Sequence, residues 1–156
     1  MLVDPAAAAN TPAPAPLVMA ILLLAFLIMW PAGFFLSSVQ SGWWFLAKAY
    51  PEDPSYVGAS QPTSGIIGFI SYNHILWVGA DEKGLHLESI MILCPFHPPT
   101  CIPWSAIKVS LDDFFIFAYV TFKMPQATVR LTRKSLKALA QRGDFPEEYR
   151  KLILGS

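Results

Sequence analysis

Cys94, His97 and Cys101 are the side chains whose types and spacing most resemble a chemical site. They form a Cys-x2-His-x3-Cys pattern in a proline-rich loop. Thiolate and imidazole ligands suit zinc, but a structural zinc site takes four ligands, so His86 or His74 would have to supply the fourth. Two unpaired thiols are the preferred interpretation. A Cys94–Cys101 disulfide and a metal or redox site remain the alternatives.

The sequence offers no pattern typical of an enzyme. Nucleophilic catalysis needs a nucleophile, a base and an orienting group, yet no serine lies in Gly-x-Ser-x-Gly and no glycine-rich phosphate loop is present. Asp112 and Asp113 are adjacent, so on a strand they would point to opposite faces. We interpret them as solvated turn residues. The sequence therefore predicts a non-enzymatic protein with no cofactor and no small-molecule substrate.

Positive charge is concentrated near the C-terminus. The chain has no net charge, but residues 123–156 contain eight Lys or Arg and only three acids, a surplus of five. Arg130, Arg133, Lys134 and Lys137 could line one surface that binds anionic lipid or a partner protein. The alternative is a solvated helix face that keeps the domain soluble. Aromatic residues do not interleave with these bases, so nucleic acid is not an expected partner.

The chain that carries these residues is 54% hydrophobic and only 14% charged, a composition that indicates a membrane segment. Residues 17–36 contain no charge, and a helix of that length spans about 30 Å, the thickness of a bilayer core. We predict a transmembrane helix kinked at Pro31. A cleaved signal peptide is disfavoured because no Lys or Arg precedes the segment, and its apolar stretch exceeds the roughly 7–15 residues of a signal core.

The flanks of this span differ from each other. Residues 1–16 are rich in Ala and Pro and predict a flexible arm, or alternatively a docking peptide. Residues 37–64 form a juxtamembrane aromatic segment and a linker. Aromatic rings prefer headgroup depth and lysine extends toward water; the predicted membrane-interface residues are Trp43, Trp44, Phe45, Lys48 and Tyr50. The alternative is that these aromatic residues cover the core of the following domain.

Residues 65–156 predict a mainly-β domain. Hydrophobic alternation and turn residues indicate six to seven short antiparallel strands; the predicted runs cover residues 65–72, 74–79, 84–91, 107–111, 114–123 and 127–131. Gly84 is expected to take a left-handed position in the hairpin turn that begins at Asp81. An amphipathic helix follows, capped by Thr132 or Ser135 and ended by Gly143, and then a short last helix. Together they predict a partly open barrel plugged by the first of these helices.

Three features of this domain carry a resemblance to a known family. They are the strand–turn–strand pattern VGADEKGLHL, the sequence IPWSAI at the head of a strand, and the terminal helix. Over residues 65–142 the chain resembles small bacterial pleckstrin-homology-like (PH-like) domains, many of which are tethered by an N-terminal membrane helix. Lys83 is the single basic residue of the first hairpin turn, so a phosphoinositide-binding motif is not matched.

The resemblance and the hydropathy pattern together imply a function and a location. We expect a single-pass protein of the bacterial inner (cytoplasmic) membrane, with its C-terminal domain in the cytoplasm because the basic residues lie on that side of the span. The domain is expected to bind a membrane-resident protein, with anionic lipid as a second contact. The alternative is a small accessory subunit of a larger membrane complex.

Overall fold

The computed structural model describes residues 15–52, 55, 56, 58, 60–90, 94–114 and 117–155, and side chains are described at these positions except at 112–114 and 117. Nearly all of the predicted 1–16 arm lies outside the described residues. The chain divides into two compact units, residues 1–33 and residues 34–156.

The first unit is the greater part of helix α1, Ala15–Ser41. This helix contains the predicted span at residues 17–36 and carries Pro31 in its interior. Its most apolar 18-residue window has a mean hydropathy of 2.5, and none of that window is buried. Among the described residues it is the one helix long and apolar enough to cross a membrane.

The second unit begins with the last turns of α1 and contains an antiparallel sheet of seven strands. Its helices are α2 (Trp43–Ala49), α3 (Arg133–Arg142) and α4 (Glu147–Leu154). Its strands are β1 (Gln61–Ile67), β2 (Ile70–Ala80), β3 (Gly84–Ser89), β4 (Thr100–Pro103), β5 (Lys108–Phe114), β6 (Phe117–Lys123) and β7 (Thr128–Thr132). The strand order is β4-β3-β2-β1-β7-β6-β5, and the sheet curls into a half-barrel. This confirms the predicted architecture of one N-terminal helix, a partly open antiparallel barrel and a C-terminal helix.

The core lies on the concave face of the sheet, where alternate residues point inward. On β6 and β7, Val120 pairs with Leu131 and Phe122 pairs with Val129, and all four are fully buried. Helix α3 covers this face with Leu136, Leu139 and Ala140, whose i, i+3, i+4 spacing forms one apolar stripe. Each buried Leu or Phe contributes roughly 1.5–3 kcal/mol to stability. The alternation read from the sequence is therefore what directs α3 onto the sheet.

The first strands differ from their predicted limits. The run 65–72, expected to be one strand, is the hairpin between β1 and β2, with its turn at Gly68 and Phe69. Gly68 has φ of +60°, a conformation that side chains rarely adopt. A Cβ on Gly68 would also lie 2.7 Å from the carbonyl oxygen of Ser41. The chain turns here because only glycine tolerates both the positive φ and the close contact with Ser41. An apolar sequence pattern alone does not show a two-residue turn.

Two further turn predictions are wrong. Gly84 has no positive φ; it begins β3, and a Cβ there would clash with the carbonyl oxygen of Ile102. Glycine is needed at this position because β4 approaches the backbone closely. The turn itself is held by the Asp81 carboxylate, which accepts hydrogen bonds from the N–H groups of Lys83 and Gly84 at 2.9 Å each. Asp112 and Asp113 belong to strand β5 rather than to a turn.

The segment 37–64, expected to be a juxtamembrane segment and linker, is partly built into the domain. Helix α2 buries Trp43 and Leu46 completely in the core of the second unit. The Trp43 indole Nε1 donates a hydrogen bond to the carbonyl oxygen of Pro98 at 2.9 Å. The β domain therefore begins well before residue 65, and the last turns of α1 enter it directly.

Candidate functional site

A basic cleft lies where strand β7 passes into helix α3. Its volume is about 590 Å³. The lining residues come from β1, β2, β6, β7 and the first turns of α3; they are Pro62, Thr63, Ser64, His74, Ala118, Thr132, Arg133, Lys134, Ser135 and Lys137. We call this surface the α3 cleft. It contains three of the four basic residues that the sequence grouped on one surface.

The three cations of the α3 cleft are held differently. Lys134 and Lys137 are exposed and lie three residues apart, on the same face of α3. Arg133 is half-buried, and its Nε donates a hydrogen bond to the carbonyl oxygen of Ile153 at 2.7 Å, which ties it to the end of α4. Arg133 therefore has a fixed position, whereas the two lysine side chains can adapt to a ligand.

Arg130 does not line the cleft. It lies on β7 between Ile66 of β1 and Thr121 of β6. Its neighbours in sequence, Val129 and Leu131, point into the core, and because side chains alternate along a strand, Arg130 points to the outer face of the sheet. The four basic residues therefore do not form one surface: three lie on α3, and Arg130 lies on the outer face of β7.

Polar groups from distant strands complete the α3 cleft. The His74 backbone N–H donates to Ser64 Oγ at 3.0 Å, and the His74 ring nitrogen Nδ1 lies 3.4 Å from the same oxygen. Thr132 Oγ1 and Ser135 Oγ are 2.8 Å apart. The sequence indicated His74 as a possible metal ligand and Thr132 or Ser135 as a helix cap, but it indicated none of these residues, nor Ser64, as part of this cleft. A β-bulge between Thr63 and Gly65 shifts the strand register beside Ser64, and no local sequence signal announces that shift.

The electrostatics of the α3 cleft favour an anion. No described residue that lines it is acidic, and the first turn of α3 contains no acid. The unpaired N–H groups at a helix N-terminus add partial positive charge to that of the side chains. The cleft can therefore bind carboxylate or phosphate groups by charge and hydrogen bonding.

The three residues of the proposed metal or redox site are not brought together. The Cys101 Sγ lies 3.6 Å from His86 Nε2, and the same nitrogen is 3.2 Å from the Asp81 carboxylate. His97 instead contacts Tyr72, and neither cysteine forms a disulfide. In the described part of the chain no group of three or more His, Cys, Asp or Glu side chains could hold a metal ion. Cys94 is buried, and that burial raises the pKa of its thiol.

His97 belongs to a buried group of hydrogen-bonded residues, which we call the polar joint and which also contains Tyr72, Ser41, Ser38 and the carbonyl group of Phe96. Its Nε2 lies 2.9 Å from the Tyr72 hydroxyl, which donates to Ser41 Oγ at 3.1 Å, and its Nδ1 has no hydrogen-bond partner. Burial lowers the pKa of His97, against a smaller opposing effect of its backbone hydrogen bond with Cys94. Ser38 Oγ also donates to the carbonyl oxygen of Phe96 at 2.6 Å. The joint fastens the loop 94–98 to the end of α1.

The predicted membrane-interface residues separate into two groups. Trp43 is a core residue, as the alternative interpretation of this segment proposed, and Tyr50 is half-buried, its carbonyl oxygen accepting hydrogen bonds from Cys101 and Thr100. Phe45 and Lys48 are exposed, and the Lys48 ammonium lies 5.8 Å from the centre of the half-buried Trp44 ring. Of the five predicted residues, Trp43 is therefore enclosed by the domain, and Phe45 and Lys48 are the most accessible.

No protein-family model, no curated protein and no solved structure matches this chain. Its function is therefore inferred from the arrangement of its own residues, among which the α3 cleft groups three basic side chains.

Proposed function

We propose that this chain is a single-pass membrane protein whose PH-like β domain is a non-enzymatic interaction module. Helix α1 is the membrane anchor, and the α3 cleft binds an acidic polypeptide segment of a membrane-resident protein. The observation that carries this proposal is the convergence of Arg133, Lys134 and Lys137 on one open cleft that no described acid lines. Tethering in one membrane raises the effective concentration of the partner, so a weak interface is sufficient.

The position of the cleft favours a protein partner over lipid. The cleft is lined by Ala118 and Thr132, whereas Gly42, the residue after α1, lies against residues 126–127 at the opposite end of the β6–β7 hairpin. The six residues of β6 from Ala118 to Lys123 span about 17 Å. This exceeds the roughly 8 Å Debye length at physiological salt. A bilayer at the end where α1 enters would therefore act weakly on the cleft.

A peptide-binding measurement with the full chain in lipid nanodiscs tests the cleft. The probe is a fluorescent glutamate-rich peptide, and its anisotropy is measured at several salt concentrations. We expect saturable binding that weakens as salt rises. Lys134→Glu combined with Lys137→Glu should reduce affinity about tenfold or more, because each close charge pair contributes roughly 0.2–1 kcal/mol and reversal adds repulsion.

Arg142→Glu with Gln141→Glu is the matched control. These substitutions lie on the same helix and are exposed, but neither residue lines the cleft. Equal loss of affinity in both double variants would contradict a specific cleft. Binding of anionic vesicles or inorganic phosphate at the cleft, without the peptide, would replace the protein partner by a lipid or phosphate ligand. Recovery of a stable, stoichiometric complex from native membranes would instead identify an accessory subunit.

A further inference from the structure

The exposed apolar side chains of the β domain are gathered at one end. Among described residues beyond residue 33, six large hydrophobic side chains are exposed. Five of them lie on the last turns of α1, on α2 or in loops beside them, namely Phe35, Leu36, Phe45, Phe69 and Phe96. The sixth, Leu111, lies on β5. Apolar residues scattered at random over a surface would not favour one end in this way.

Contacts among loops of the second unit place these residues together. A Cβ on Gly68 would meet the Ser41 carbonyl oxygen at 2.7 Å, so the β1–β2 turn that carries Phe69 adjoins the end of α1. Similarly, Gly42 packs against residues 126–127, in the β6–β7 turn. The ring of Phe96 stacks edge-on against Phe35, with centroids 5.5 Å apart. Three loops thus surround the point where α1 enters the domain.

Phe96 is held outward by its backbone and by its neighbours. Its φ is +76°, a left-handed value that is uncommon for a bulky residue. The carbonyl oxygen of Phe96 accepts the Ser38 hydroxyl, and those of His97 and Pro98 accept hydrogen bonds from Ser89 and Trp43. The loop is therefore held by hydrogen bonds to its backbone carbonyls, while Phe96 remains 41% exposed. Such strain persists where the surrounding structure fixes it.

Basic residues surround the same end. Lys48 lies on α2, and Lys108 pairs with Lys123 at the ends of β5 and β6 next to the β6–β7 turn; all three are exposed. The acids whose side chains are described lie elsewhere, on β3, in the β2–β3 turn, at residue 52 and from residue 144 onward. Aromatic rings beside lysine, with acids kept away, match the chemistry of the interfacial region of a bilayer with anionic lipid.

We propose that this end of the domain, which we call the aromatic end, is immersed in the interfacial region of the bilayer, with Phe69 and Phe96 as its inserted side chains. The inference rests on the proposed anchoring by α1. Its occupant is lipid because Phe35 and Leu36 belong to the aromatic end and follow directly in sequence on the uncharged residues of the proposed anchor. The domain would then contact the membrane through two loops as well as through its anchor, and the α3 cleft would face away from the lipid.

Site-directed spin labelling of the full chain in anionic nanodiscs tests this. Single cysteines replace Phe69, Phe96 or Leu111 in a background carrying Cys94→Ala and Cys101→Ser, whose fold is checked by circular dichroism. Power saturation then compares collisions with oxygen, which partitions into lipid, and with a water-soluble nickel chelate. Leu111 is the matched control, because it is 42% exposed against 41% for Phe96.

We expect labels at 69 and 96 to collide preferentially with oxygen, and the label at 111 with the nickel chelate. Equal nickel accessibility at all three positions would overturn the inference. A fourth label, at Ile21 in α1, separates this failure from failure of the anchor itself. If Ile21 reports deep immersion while 69 and 96 report water, α1 is an anchor and the aromatic end is not inserted. If Ile21 also reports water, both proposals fail.

Discussion

At the residue scale, His97 shows how burial decides what a polar side chain does. Its spacing with two cysteines suggested a ligand, but in the structure its Nε2 meets the Tyr72 hydroxyl and its Nδ1 has no partner. Metal ligation needs several donors to converge, whereas this ring is one member of the joint between the loop 94–98 and the end of α1. The sequence showed the residue types correctly and could not show which other side chains they would meet.

The lowered pKa of His97 has a consequence for stability. The unfolded chain binds a proton at this histidine near pH 6.5, while burial keeps the folded ring neutral to lower pH. Stability is therefore fully present above pH 6.5 and falls as the pH drops from there toward the folded pKa. We expect the melting temperature to fall more between pH 7 and pH 5 in the unmodified chain than in His97→Gln. Identical slopes would contradict this.

Trp104 is a second residue whose environment can be tested. It is half-buried, and its Nε1 donates a hydrogen bond to the Asp81 carbonyl oxygen at 2.8 Å. Its ring packs at a tilt against Phe145 and Tyr149. Trp104→Ala should lower the free energy of unfolding by about 3 kcal/mol, the lower limit for a core tryptophan. Trp104→Phe, which keeps the ring contacts, should cost only about 1 kcal/mol for the hydrogen bond. Urea unfolding in mild detergent measures both.

At the element scale, the turns and helix ends decide how the strands meet the α1–α2 junction. The hydrophobic alternation predicted most strands and both C-terminal helices, because that signal is local. Trp43 could not be assigned in this way, since an interfacial aromatic and a core aromatic have the same sequence pattern. Its burial follows from loop 94–98, more than fifty residues away.

Gly68→Ala tests the contact between the β1–β2 turn and α1. The substitution forces a side chain into φ of +60° and within 2.7 Å of the Ser41 carbonyl oxygen. We expect a loss of about 2 kcal/mol or more in the free energy of unfolding. Gly143→Ala is the control, because φ is +89° there but the nearest atom would be 4.0 Å away. It bears only the conformational cost, so an equal loss in both variants would show that the Ser41 contact contributes nothing.

At the scale of the whole domain, charge and apolar surface are separated. The aromatic end has three exposed lysines around its rings, and the α3 cleft lies at the opposite end of the β6–β7 hairpin. The spacing of Lys134 and Lys137 along one helix face predicted the basic side of the α3 cleft. The contribution of His74 and Ser64 was not predictable, because it depends on a bulge that only the folded sheet reveals.

The burial of Trp43 also imposes an order on the synthesis of the chain. The hydrogen bonds that fix the end of α1 join residues 55 and 58 positions apart, Trp43 to Pro98 and Ser38 to Phe96. At roughly 5–20 residues per second, a ribosome makes the later partners about 3 to 12 s after the earlier ones. During that interval Trp43 has no core to occupy. With α1 as the proposed membrane anchor, its insertion would precede completion of the fold, and the Trp43 side chain would stay exposed until loop 94–98 has been made.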